Sequence, residues 1–210
     1  IMADEALRYP ESVPFWQAGH GRDWTGPYFG YDSVDFMIGE SLLATEGGHH
    51  AAWLQEHHPD IIPLYHPGAA LDGPPPDLEE AWTAAVPDEL HYNTWIADRA
   101  IDVIERTDGP FMLFVSTPDP HHPFSPPRPW ADLFEASAMP SPGVVPGERD
   151  AMPDWMISPM ALDRIDNAAP AVEQGGMMTT DTISTESMAR AIAFTRGMET
   201  QIDHQFGRVL

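Results

Sequence analysis

Apolar and polar positions along this chain change period several times, and each change marks an element. Ile96, Ala97, Ala100, Ile101, Val103 and Ile104 recur at three- and four-residue spacing, which predicts an amphipathic helix. Asn93 is a suitable N-cap for it, and Gly109 with Pro110 ends it. A continuous apolar run follows from Phe111 to Ser116. Such a run between prolines predicts a strand buried on both faces, as in a parallel sheet. Met188, Ala191, Ile192, Thr195, Met198, Ile202, Phe206 and Val209 form one stripe of a last helix, capped by Ser184 or Thr185.

Shorter signals fill the rest. Val34–Ile38 reads as a short strand, and 49–58 as a short helix stopped by Pro59. Residues 59–90 read as a surface excursion with one helical turn at Leu78–Ala84. Residues 128–135 predict a helical turn, and 136–181 a long irregular segment. A helix leading into a buried strand is an α/β unit, so the fold class expected is α/β.

Composition narrows the partners. With 42% hydrophobic residues in 210, one sizeable core is expected. Ten basic residues, all Arg, stand against 33 acidic ones, for a net charge of −23. Clustered basic groups are what phosphate backbones and anionic bilayers need, so neither nucleic acid nor membrane is an expected partner. No apolar run has the length of a membrane span. Residues 1–20 lack the order of a signal peptide, and the compartment stays open, as does the oligomeric state. Ile1 and Leu210 both read as internal positions of a longer protein.

The candidate chemistry lies just after the predicted strand. Asp119, His121 and His122 stand among four prolines at its carboxyl end, where open α/β sheets place ligands. A histidine there can hydrogen-bond an anionic oxygen or protonate a leaving group. Side chains alternate along an extended chain, so one of the two histidines is expected to face the site. Asp119 could orient a neighbouring histidine or bond the turn itself. Three other groups read as solvated surface or helix ends. They are His49, His50, His57 and His58; Asp98, Arg99 and Asp102; and Asp203, His204 and Arg208. Arg99 and Asp102 have the spacing of a helical ion pair.

The stretch Phe111-Met-Leu-Phe-Val-Ser-Thr-Pro-Asp-Pro-His-His-Pro-Phe-Ser-Pro-Pro resembles the central strand and histidine turn of the sulfatase family. That family lies within the alkaline-phosphatase-like superfamily. Pro27–Asp35, Gly48–Pro59, Trp95–Glu105 and Ala193–Leu210 resemble further segments of bacterial arylsulfatases and phosphonate monoester hydrolases, in family order. The resemblance implies a partial alkaline-phosphatase-like fold. Its mostly parallel sheet would be flanked by helices with long irregular Pro/Gly-rich loops. Residues 1–210 would be the central part of a sulfatase catalytic domain.

The same resemblance implies that His121, the histidine with Pro123 two residues on, contacts a sulfate or phosphate oxygen or the leaving group. His122 matches a variable position; it and Asp119 are secondary substrate-binding candidates. The family's formylglycine nucleophile arises from a Cys or Ser in a Cys/Ser-x-Pro-x-Arg motif. This chain has no Cys, no Lys and no such motif. The resemblance therefore places the formylglycine and the ligands of a divalent metal, calcium or a similar hard ion, outside this chain. No metal ligand is assigned within it. The implied substrate is a small-molecule sulfate ester. A phosphonate or phosphate ester, or a non-catalytic domain of the same fold, are the alternatives. The 210 residues alone are expected to hydrolyse no sulfate ester.

Overall fold

A computed structural model gives the fold and describes residues 7–140 and 183–210. It has four α-helices among the described residues: α1 (Val13–Gln17), α2 (Gly48–His57), α3 (Tyr92–Arg106) and α4 (Thr185–Val209). Short 3-10 turns join them at Ile62–Tyr65, Pro67–Ala69, Asp88–Leu90, Trp130–Asp132 and Ala136–Ala138. The irregular segment expected over 136–181 lies outside the described residues beyond residue 140.

The expected helices form, with their caps partly reassigned. α3 begins one residue before Asn93. Its N-cap is His91, whose ring accepts from the Asn93 backbone N–H at 3.3 Å. This frees the Asn93 side chain for other bonds. Ser184 caps α4 as expected, accepting from the Ser187 N–H at 3.1 Å. Asp77 reinforces that end, accepting from the Ser184 N–H and the Ser187 hydroxyl. These bonds hold its carboxyl down at about 2. A carboxylate is well placed at a helix N-terminus.

The packing faces differ from the stripes read in the sequence. α4 buries Ser187, Ala193, Phe194, Gly197, Met198, Gln201 and Gln205. Of the expected apolar stripe, Met198 alone is fully buried, and Phe206 is exposed. The reason is what α4 meets. It lies along α3 and the turns at 130–132 and 136–138, and the facing start of α3 carries Asn93 and Thr94. A polar surface there selects polar partners.

Two clusters form the core. Ala44, Leu54, Tyr65, Ala84, Val86 and Tyr92 make one. Leu78, Ala81 and Phe194 make the other, with Phe124 and Ala131 against them. Leu78–Ala84 is not helical. Glu79 and Glu80 form a turn, and Ala81 and Ala84 pair in parallel with Phe124 and Pro127.

No β-ladder forms among the described residues, only isolated bridges. Val34–Ile38 contributes one, between Met37 and Gly48. The parallel sheet expected around Phe111–Ser116 is thus absent from these residues. The run forms no strand, and Met112 is 77% and Phe114 68% exposed. It has no neighbouring strand here to supply ladder bonds or cover its faces. Instead it borders an open trough of about 1160 Å³, shared with Phe29, Tyr31, Trp95 and Val103.

Close approach fixes two glycines. Gly48 has φ +89, and a Cβ there would stand 2.7 Å from the Phe36 carbonyl oxygen. On α4, a Cβ at Gly197 would meet the Trp130 carbonyl oxygen at 2.5 Å. Gly197→Ala is therefore expected to push α4 off the 130–132 turn and cost about 1–3 kcal/mol, despite alanine's better helix propensity. Denaturant unfolding checks this; an unchanged or raised midpoint would mean that the close contact is not made.

Candidate functional site

The turn after residue 116 is held from both sides. Downstream, the Phe124 N–H donates to the Glu80 carbonyl at 2.7 Å, and the Trp82 N–H to the Phe124 carbonyl at 3.1 Å. The Ala84 N–H continues the rail to the Pro126 carbonyl at 3.1 Å. Pro123, Ser125, Pro126 and Pro127 are buried along it, and the Ser125 hydroxyl donates to Ser41 at 3.1 Å. Proline suits a segment that must stay extended, because its φ is already fixed.

Upstream, the tie is Asp119. It is 6% exposed. Its Oδ1 accepts from the Tyr92 hydroxyl at 2.5 Å and its Oδ2 from Asn93 Nδ2 at 2.6 Å. Asn93 Nδ2 also donates to Gln201 Oε1 at 3.0 Å, and Gln201 Nε2 donates to Asp88 Oδ1 at 2.7 Å. Trp130 Nε1 donates to the same Asp88 oxygen at 2.6 Å. A buried polar network thus joins the turn, the start of α3, the middle of α4 and the loop before α3. Burial pushes the Asp119 carboxyl up to about 6, although Tyr92, Asn93 and His121 favour its charged form. Burial also drives the Tyr92 hydroxyl well above its ordinary range.

Between these anchors the two histidines are exposed. His121 Nδ1 bonds the His122 carbonyl, which leaves Nε2 as the outward ring nitrogen. His122 Nδ1 lies 3.1 Å from Glu80 Oε2. The rings do not point opposite ways, as alternation along an extended chain predicts. Their centroids are 4.2 Å apart. The His121 N–H closes a turn onto the Pro118 carbonyl at 3.1 Å, and a turn abolishes the alternation. Asp119, expected as a substrate contact, has both carboxylate oxygens engaged inside the protein. In chemical terms, His121 can present a ring nitrogen to an anionic oxygen, while His122 is occupied by Glu80.

The other candidates serve structure. His49 accepts from the Phe36 N–H at 2.8 Å and lies against Trp16 and Trp24. His50 is buried, with Nδ1 bonded to the Ala44 carbonyl at 2.9 Å. His57 is exposed beside Glu56, and His58 packs on Trp53. Arg99 pairs with Asp102 as its spacing predicts, and also reaches Asp35 at 3.4 Å. Arg208 bridges α4 to Asp98 on α3 at 2.6 Å, while Asp203 and His204 are exposed. Such exposed pairs stabilise by about 1 kcal/mol at most. Among the described residues, no three His, Cys, Asp or Glu side chains could together hold a metal ion.

Sequence reasoning missed Tyr92, Asp88, His91, Gln201 and Trp130. The available signal was a glutamine amid the apolar positions Met198 and Ile202 of a helix.

No family model matches the chain. A curated protein named Arylsulfatase, from Clostridium perfringens (strain 13 / Type A), is 29% identical over 127 residues. The match covers 59% of this chain and 23% of that protein. The match thus spans less than a quarter of the length of this curated relative, and the likeness is to a sulfatase-like protein.

Proposed function

We propose that this chain is part of a sulfatase-like hydrolase of small-molecule sulfate esters, in which His121 forms one wall of the site. The observation that carries the reading is the anchored turn. It leaves the outward nitrogen of His121 exposed while holding the backbone on both sides. The partial likeness to an arylsulfatase supports the reaction class.

His121 acts on oxygen. As an imidazolium it donates Nε2–H to a sulfate oxygen or to the departing ester oxygen, while Nδ1–H stays on the His122 carbonyl. The described residues do not fit a metal or formylglycine centre. No metal-holding cluster forms among them and the chain has no Cys/Ser-x-Pro-x-Arg motif, so no step here runs through either group. The run 111–116 takes its place in a mostly parallel sheet completed by other strands of the whole protein. Its exposed apolar faces and the adjoining trough support that placement.

The test uses the complete protein with 4-nitrophenyl sulfate and, beside it, a 4-nitrophenyl phosphonate ester. Faster turnover of the sulfate is expected. His121→Ala is expected to lower kcat/KM by about 10²–10⁴-fold, roughly 3–5 kcal/mol of barrier. A loss under about threefold removes His121 from the reaction. Preference for the phosphonate moves the protein to the related ester class. No turnover of either favours a non-catalytic domain.

A further inference from the structure

We propose that Asp119 is a positioning residue for His121, fixing the histidine turn to the start of α3 through Tyr92 and Asn93. The inference rests on the reading of His121 as a group that touches substrate.

The need for a tie comes from the segment before the turn. Among the described residues, no main-chain hydrogen bond reaches residues 110–117, and Phe111, Met112 and Phe114 are exposed. Downstream, the rail along 80–84 begins only at Phe124. His121 lies between a firmly held strand-like segment and a loosely held one. Asp119 sits two residues before it, and its carboxylate closes the gap. A bond from the Thr117 hydroxyl to the Asp119 carbonyl at 3.3 Å ties Thr117, two residues earlier, to the same point.

The chemistry of the contact specifies an aspartate. Two donors, a phenol and an amide, are aimed at two different oxygens, and a carboxylate is acceptor-only. An asparagine would turn its own NH2 toward one of them. The second layer holds the donors in place. Asn93 is fixed by Gln201 of α4, and Tyr92 is packed in the first core cluster beside Leu54 and Tyr65. Burying a carboxylate costs stability through lost hydration, so its use here points to placement. A displacement of about 1 Å at a reacting group can lower a rate by about 100-fold.

The experiment compares Asp119→Asn, Tyr92→Phe, His121→Ala and the Asp119→Asn/His121→Ala double variant in the complete protein, with unfolding midpoints measured for each. Asp119→Asn is expected to lower 4-nitrophenyl sulfate kcat by about tenfold or more with little change in KM. The double variant is expected to be no slower than His121→Ala alone, because a residue acting through His121 has nothing left to position. Multiplying losses, or an Asp119→Asn loss below about threefold, overturns the proposal. Should Asp119→Asn fail to fold, Tyr92→Phe removes one of the two bonds and is read in the same way.

A second readout is independent of turnover. The His121 ring resonance, assigned as the signal absent from His121→Ala, is expected to move in Asp119→Asn and Tyr92→Phe. A resonance that stays in place in both overturns the proposal. A moved resonance together with full activity in His121→Ala would sink the reading of His121 and leave the positioning intact.

Discussion

Acidification from pH 7 to pH 4 is expected to remove about 4 kcal/mol of stability, and two buried histidines carry the loss. Burial lowers His91 to about 3 and His50 to about 4. The geometry explains why neither accepts a second proton. His91 Nδ1 is the acceptor that caps α3, taking the Asn93 N–H at 3.3 Å, and Gln201 Nε2 lies 3.3 Å from the same atom. A proton there would face two donors at a helix N-terminus, where positive charge is disfavoured. His50 is enclosed by Trp53, Tyr65 and Trp95, and this burial outweighs the Ala44 carbonyl on Nδ1, which favours the charged form.

Both folded values lie below the ordinary histidine value of 6.5. The unfolded chain therefore takes up protons that the native state refuses. The contribution is complete above pH 6.5 and falls away as pH drops toward 4 and 3. Together the two histidines lose about 6 kcal/mol by pH 4. Asp119 has the opposite sign. Its folded value of about 6 lies above the ordinary 3.8, so its protonation favours the native state as pH falls, returning about 2 kcal/mol. Denaturant unfolding at fixed ionic strength measures the balance. Wild type should take up about one proton on unfolding near pH 5, and Asp119→Asn about two. Stability that is flat or rising from pH 6.5 down to pH 4 would contradict the assignment. His91→Asn, which keeps a capping oxygen, should remove about half of the histidine uptake.

What could be read in the sequence follows from which forces leave a periodic trace. α3 and α4 were legible because burying one side of a helix repeats every three or four residues, and because Ser184 caps α4; α3 ends at Arg106 with Thr107 as its C-cap, ahead of the expected Gly109. Which face α4 buries was not legible. Hydrophobic periodicity assumes an apolar counter-surface, and here the counter-surface is Asn93 and Thr94, met by Gln201 and Gln205. The Leu78–Ala84 stretch has helix-like spacing, yet the backbone bonds of Glu80, Trp82 and Ala84 go to Phe124 and Pro126, distant in sequence, and those of Thr83 to Leu71 and Asp72. Local propensity carries no information about a partner that far away. The histidine turn was legible as a site through its prolines and its place after an apolar run. The role of Asp119 was not, since nothing in its neighbourhood shows that a tyrosine and an asparagine 27 and 26 residues earlier aim donors at it.

Gln201 tests whether that polar counter-surface stabilises the fold or is merely tolerated. It is fully buried and makes three polar contacts: from Asn93, to Asp88, and with the His91 ring. Gln201→Leu nearly conserves volume, so its effect isolates polarity. Each former partner keeps another bond: Asn93 to Asp119, Asp88 to Trp130, and His91 to the Asn93 N–H. None is wholly orphaned, and the expected loss is about 2–3 kcal/mol. Gln201→Glu is nearly isosteric but replaces a donor with an oxygen facing the Asp88 carboxylate. Two like charges in contact, one buried and one half-buried, should cost more than the leucine, about 3–5 kcal/mol near neutral pH. That penalty should shrink on acidification, because protonating the new carboxyl restores a donor toward Asp88. Unfolding free energies at pH 7 and pH 5 separate the cases. A leucine variant as stable as wild type would mean that α4 is held by packing around Phe194 and Met198 alone. A glutamate variant no worse than leucine would mean that Asp88 does not receive a hydrogen bond from residue 201. With both penalties present, the polar seam between α3 and α4 is what fixes the angle at which Asn93 meets Asp119, and so how firmly the histidine turn is held.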